Sequence, residues 1–432
     1  MNNTISGDVG FMMTYQTTPE SHLDRTLSPR FSDVLGALKA RLPIAFVVFF
    51  FSAVSINIMP SIIPPAILAG ALCGTVLYYR ELFYFAINNK LIILYLAIVL
   101  ASASWSAVTS LSLWYALQLC ATIASAFIIG VSATQRQIVR GLFIAMSLII
   151  VASIVSGRQG ASAAGPVLIG VTGGKTAIGF VAVLLVASAV AVTFDPRQPL
   201  LYRLAAVPMI PIGAYVATHV EAATAKVSLL AFPLVFFGVL SLRCLKGSGR
   251  LALMAMVLAV FVPLAVVAGD LSHGADEAIL HALNKDATLT GRTMMWDKAD
   301  HWISNSPMIG YGFRAFWASG SADSIGILHH FNLTDPRVFQ LHNTIKETLV
   351  DTGWVGLCAF MLTVLVFLYY IVRLAFLYPS SSSGFLTAMF LMLLAHFPVV
   401  TVVGVYFPST VLFYACGTAA VVHFMNVAHG YD

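Results

Sequence analysis

The chain has 432 residues, of which 59% are hydrophobic and only 9% charged, with a net charge of +5. Soluble domains carry roughly 25% charged residues, so this composition excludes an ordinary soluble domain. With a mean hydropathy of +0.89, it reads as an all-α, polytopic integral membrane protein. No nucleic-acid partner is expected.

Taken in chain order, residues 1–41 form a polar tail with no short apolar segment and small-residue cleavage site, so no cleaved signal peptide is expected. Apolar runs then recur at Ile44–Met59, Ile62–Tyr79, Leu91–Trp105, Leu113–Ser132, Leu142–Ser156, Thr176–Phe194, Leu200–Ala217, Val227–Leu242 and Leu251–Ala268. Three more follow at Gly353–Leu377, Phe385–Val403 and Ser409–Val427. The expectation is about twelve transmembrane helices, nine in residues 42–269 and three in 346–432. Placing the N-terminus inside puts 14 of the 23 Lys and Arg residues on the cytoplasmic side, as the positive-inside rule requires. The five cysteines show no CxxC spacing and read as small core residues. "PSSSSG", Pro379 to Gly384, reads as a flexible turn.

Between the ninth and tenth runs lies a polar insertion, residues 270–345, which holds 3 of the 6 tryptophans and 6 of the 11 histidines. A mere connection has no need of that enrichment, so the insertion is the expected working surface, outside the membrane. Within it, Thr290 can cap a helix whose Met295, Ala299, Trp302 and Ile303 share one face, with Ser304 to Pro307 ending it. Arg292, Trp296 and Lys298 are left for other surfaces. The end of the insertion, "QLHNTIKETLVDTGWVGL", reads as a helix entering the tenth span, with His342 one turn before Lys346 and Asn343 one turn before Glu347.

"GVTGGKTAIGF", Gly170 to Phe180, looks at first like a phosphate-binding loop, but its glycine spacing does not fit that motif. Lys175 and Lys226 instead stand at the outer ends of spans. Either one alone reads as a lysine extending its stem to the headgroups. Together with Arg292 and Arg314 on the same side they make a pattern suited to a lipid-anchored diphosphate, since basic groups bind such oxygens. His329 and His330 read as a solvated pair. His342 is favoured as a general base or hydrogen-bond anchor. Glu347 and Asp351 read as carboxylates placed at a helix start by its dipole, and no metal site is expected.

The motifs Gly291-Arg292-Thr293 with Trp296, Pro307 with Gly310 and Gly312, His342-Asn343, and Gly353 with Gly356 occur in this order within one outer segment. Together they resemble the signature region of the bacterial O-antigen ligase and polysaccharide polymerase superfamily, closest to its exopolysaccharide polymerase branch. "GGKTAIGF" is similar to that branch's Lys-Asn-x-x-Gly segment, with Thr176 in place of Asn. "AKVSLLAF" is similar to a Ser-Arg-x-x-Leu-Leu segment, with Lys226 in place of Arg.

The resemblance implies a GT-C-like inner-membrane protein with a large, partly helical periplasmic loop. It implies a metal-independent glycosyltransferase, with no cofactor, that takes a glycan from undecaprenyl diphosphate. Polymerases pass the glycan to another lipid-linked repeat unit and ligases pass it to lipid A-core. Polysaccharide export or chain-length proteins are expected partners, and membrane lipids surround the chain. On this reading Arg292 and His342 are catalytic, and Lys175, Lys226, Arg314, Trp296 and Asn343 bind substrate. A lipid-linked glycan flippase is the competing class, but the spans hold almost no ionisable residues and show no inverted repeat.

Overall fold

The computed structural model describes residues 29–58, 61–160, 165–220, 222–256, 292–330 and 339–428, with side chains from Leu42 in the first helix and from Met294 in the helix that opens at Arg292. The chain divides into two units, Met1–Leu42 and Pro43–Asp432, and the elements that build the site belong to the second. The helices are α1 (Pro29–Ser55), α2 (Ile63–Leu77), α3 (Tyr79–Asn88), α4 (Lys90–Ala101), α5 (Thr109–Ser132), α6 (Gln135–Ser156), α7 (Lys175–Thr193), α8 (Leu200–His219) and α9 (Ala223–Ser241). After the insertion come α10 (Arg292–Asn305), α11 (Ala315–Ala318), α12 (Ala322–His330), α13 (Thr344–Leu377), α14 (Ser381–His396) and α15 (Pro408–Ala428). The strands among the described residues, Gln159–Gly160 and Val167–Leu168, form one small antiparallel hairpin.

The all-α expectation holds, and eleven of the twelve apolar runs fall on helices. The ninth, Leu251–Ala268, lies outside the described residues beyond residue 256. By length and apolarity, seven described helices can cross a membrane, or eight if α2 and α3, bent by 88° to one another, are one span. Leu42–Ser55, Lys90–Ser104 and Ser381–His396 are apolar but shorter. Large apolar side chains such as Val155, Leu201, Leu230 and Leu234 point outward from the bundle. Water would penalise such a surface and lipid does not. The chain is a multi-pass membrane protein.

The centre of the bundle is aromatic. Phe367, Phe390, Phe413 and Tyr414 are fully buried, with Phe390 stacked on Phe413 at 5.0 Å between centroids. Close approach depends on small residues, as lipid-embedded helices require. Gly417 lies under the Phe367 ring, and Gly213 of α8 meets Val186 and Ala182 of α7. In its apolar window α7 is 72% buried and α8 only 22%, so α7 is an inner helix and α8 a peripheral one.

Three local expectations are corrected. The serine run is not a free turn: Ser380 and Ser383 exchange side-chain and backbone hydrogen bonds in a capping box, and the serines become the first turn of α14. Of the cysteines only Cys416 is buried; Cys73, Cys244 and Cys358 lie on outward-facing surface. Finally, α13 starts at Thr344, capped by Asn343, so His342 precedes the helix with φ 52° instead of lying on it.

One break positions the site. Gly353 interrupts α13 with φ 61° and ψ −165°, a region open essentially to glycine alone. The turn Pro307–Gly312 plugs this break. Trp354 and Val355 donate their amides to the Pro307 and Met308 carbonyls at 2.8 and 3.0 Å. Tyr311 and Gly312 donate theirs to the Val350 and Asp351 carbonyls, both at 2.9 Å. The turn therefore satisfies backbone groups that the break would leave unpaired within the membrane protein's interior.

Candidate active site

Above the break sits a small domain-like cap built from α10, α11 and α12. Its core holds Met295, Trp296, Ala299, Phe316, Trp317, Ile327, Leu328, Phe339, Leu341 and Val350, with Trp302 and Ile303 packed at the edge. The expected helix face is thus the buried one. Trp296, expected elsewhere, is buried with it at 4% exposure, because its indole N–H donates to the Leu341 carbonyl at 2.8 Å. Arg292 opens α10, but its side chain lies outside the described residues, as does the expected cap Thr290.

Arg314 ties the cap to α13. Its backbone is left-handed, φ 61°, which aims its amide at the Asp351 carboxylate, 2.9 Å away. Its guanidinium donates to the Phe339 carbonyl at 3.0 Å, pairs with Glu347 at 3.5 Å and lies over the Tyr115 ring at 5.7 Å. Glu347 in turn accepts from the Trp317 indole at 3.0 Å and the Leu341 amide at 2.6 Å. Both carboxylates are buried. Their work is therefore to bind the cap, beyond the helix-dipole role expected of them.

His342 and Asn343 form the joint between cap and bundle. The Asn343 side chain accepts from the Ile345 and Lys346 amides, both at 3.0 Å, and donates to the Pro398 carbonyl at 2.9 Å. Thr344 bonds the Phe397 carbonyl through its amide and the Val400 carbonyl through its hydroxyl. These contacts clamp the turn after α14 onto the start of α13. His342 is half-buried on this clamp, its ring edge-on to Phe339 at 6.1 Å.

The lysines reach the same end of the bundle through two links that sequence reading did not foresee. A Cβ on Gly179 would lie 3.1 and 3.3 Å from the Ala222 and Ala225 side chains, so the first turns of α7 and α9 touch. Lys175 and Lys226 head those two turns, half-buried, and neither makes a hydrogen bond or ion pair among the described residues. Two residues after Lys226, Ser228 of α9 lies 3.3 Å from His396, the last residue of α14. His396 leads directly into the turn that clamps Asn343. The lysine-bearing ends and the His342 joint thus lie at one end of the bundle, connected through α14. The only sequence signal for His396 is a lone histidine within the apolar run Phe385–Val403, two residues before Pro398.

The pattern is chemically one-sided. It offers half-buried cations that have no partner among the described residues, at the bundle end that also carries an imidazole, a setting for an amphipathic anion. Among the described residues no three His, Cys, Asp or Glu side chains group closely enough to share a metal ion.

Residues 204–361 match the family described as O-Antigen ligase. Over 255 residues the chain is 29% identical to the exopolysaccharide production protein ExoQ of Rhizobium meliloti, a match spanning 59% of this chain and 58% of the relative's length. The family match contains α9, the described cap, the Asn343–Thr344 side of the clamp and the Gly353 break. These matches bear out the resemblance read from the motifs: residues 204–361 are similar to the O-antigen ligase family, and the chain is similar to an exopolysaccharide production protein.

Proposed function

We propose that this chain is a membrane glycosyltransferase of polymerase type, moving an oligosaccharide from undecaprenyl diphosphate to another lipid-linked repeat unit in surface-polysaccharide synthesis. The observation that carries the reading is the meeting of the Lys175 and Lys226 helix ends, linked through Ser228 and His396 to the end of the bundle that holds the His342 joint. In the reaction the acceptor hydroxyl oxygen attacks the anomeric carbon of the donor glycan. The bond from that carbon to the diphosphate oxygen breaks, and the diphosphate leaves with the electron pair.

Lys175, Lys226 and Arg292 hold the leaving charge, a task this reading gives to side chains and not to a metal ion. His342 accepts the hydroxyl proton or anchors the acceptor. Arg314, Trp296 and Asn343, whose polar atoms engage the protein itself, position His342 by fixing cap to bundle. The site faces the periplasm and the chain sits in the inner membrane.

The match to the O-antigen ligase family favours one second reading, a ligase that delivers finished glycan to lipid A-core. Size-resolved surface polysaccharide and carrier-bound oligosaccharide from cells carrying Lys175→Gln/Lys226→Gln, Arg292→Ala or His342→Ala decide between them. Polymerase loss leaves single repeat units on the carrier. Ligase loss leaves long chains on the carrier and none on lipid A-core. Wild-type chain lengths in the Arg292→Ala strain would remove that residue from the mechanism.

A further inference from the structure

At the opposite end of the bundle from Lys175, a cavity of about 830 Å³ opens among the ends of α5, α6, α7, α13, α14 and α15. It has no part in the glycan-transfer reading, because the length of α7, about 28 Å at 1.5 Å per residue, separates it from the lysines. Three guanidinium groups line it, those of Arg136, Arg197 and Arg243, against one carboxylate, Asp195.

The positive-inside rule explains why arginines gather at this end. It does not explain their convergence on one concavity. Asp195 pairs with Arg136 at 3.4 Å and accepts the Arg197 amide at 3.1 Å, which fixes the wall between α6 and α7. Arg243 is anchored by its Nε on the Pro379 carbonyl at 2.9 Å. The Arg197 guanidinium, and the two terminal amino groups of Arg243, make no hydrogen bond or ion pair among the described residues.

An independent observation points to a ligand. Ser382 lines the cavity, is only 5% exposed, and has no hydrogen-bond partner among the described residues. Its hydroxyl is accessible from the cavity it lines, where it can donate to an acceptor oxygen. The volume lies within the range of small-molecule sites, roughly 300–1,000 Å³.

We propose that this cavity binds a phosphate-bearing anion, held by Arg197 and Arg243 with Ser382 donating to a phosphate oxygen. Either an anionic phospholipid headgroup or a soluble phosphate compound supplies that chemistry. The test uses full-length protein in the Lys175→Gln/Lys226→Gln background, which removes the other cationic end. Thermal unfolding is followed in nanodiscs of phosphatidylcholine with or without phosphatidylglycerol, and separately with inorganic pyrophosphate.

The expected result is a rise in Tm of roughly 2 °C or more with one probe, abolished by adding Arg197→Gln/Arg243→Gln and reduced by Ser382→Ala. A shift with phosphatidylglycerol identifies a lipid, and one with pyrophosphate a soluble ligand. No shift with either probe, or one that survives Arg197→Gln/Arg243→Gln, overturns the proposal. Both arginines are exposed, so the double variant is expected to fold, and an unshifted Tm without probe checks this.

Discussion

The Trp354 amide donates to the Pro307 carbonyl at 2.8 Å, across the break that Gly353 makes in α13. Two motifs separated by more than forty residues in the chain are thereby one structural device. The Pro-x-x-Gly-x-Gly turn exists in this form because the broken helix needs its carbonyls and amides. Both Gly310 and Gly353 meet backbone where a Cβ would stand.

Gly353→Ala should therefore be among the most damaging single changes in the chain. The backbone region alone costs a side chain on the order of 1–3 kcal/mol, and the Met308 carbonyl crowds the added methyl besides. A large fall in Tm of the detergent-solubilised protein, with loss of long-chain polysaccharide in cells, is expected. An unchanged Tm would mean that the turn does not seat on the break.

Arg314→Ala removes the guanidinium shared by Glu347 and the Phe339 carbonyl, with side chains 13% and 9% exposed across the ion pair. Breaking a buried pair on one side costs about 3–5 kcal/mol because the other charge stays behind. Adding Glu347→Gln should restore part of the loss, a coupling of about 1 kcal/mol or more. Strict additivity of the two Tm shifts would show that the residues act separately.

Asn343 has two jobs that substitutions can split. Asn343→Asp keeps the oxygen that caps α13 but loses the donor to the Pro398 carbonyl; Asn343→Ala loses both. The cap is worth about 1 kcal/mol, so the alanine variant should be the less stable. If the clamp positions His342, glycan transfer falls in both variants, including the aspartate one whose cap survives. Full transfer activity in Asn343→Asp would detach the clamp from function.

Asp323 gives the cap a pH dependence. The Trp302 indole donates to it at 2.8 Å and the Lys298 ammonium at 2.9 Å, which holds its carboxyl below the usual carboxylate range. A depressed value in the folded state means a stabilising contribution that is complete above the unfolded value, about 3.9. That contribution is lost as pH falls through the folded value. Trp fluorescence of the protein, followed from pH 6 down to about pH 3, should report loosening at the acidic end, and Asp323→Asn should remove that step. An identical acid profile in the variant would show that Asp323 contributes nothing.

Much of the architecture was legible because lipid imposes a simple demand on sequence. A spanning segment must be apolar along its length and must satisfy its backbone internally, so eleven of the expected runs coincide with helices. The α10 core face was legible for a similar reason, the 3.6-residue period. Trp296 escaped that reading because its burial depends on Leu341, supplied by a distant strand of sequence. The helix count was harder to read, since composition cannot distinguish a full span from a short or bent helix such as α14 or the α2–α3 pair.

What the sequence by itself determined is the class of protein, the motif residues and their order, because each follows from local composition and spacing. Only the tertiary structure decided what those residues do to one another. It turned two glycine motifs into one plugged helix break, and made Glu347 and Asp351 anchors for Arg314. It also connected the Lys175 and Lys226 helix ends to the end of α14 that carries His396. The reason is physical: hydropathy sets which segments enter the membrane, whereas convergence depends on which helix ends pack together, a matter of small residues such as Gly179 and hydrogen bonds such as Ser228 to His396.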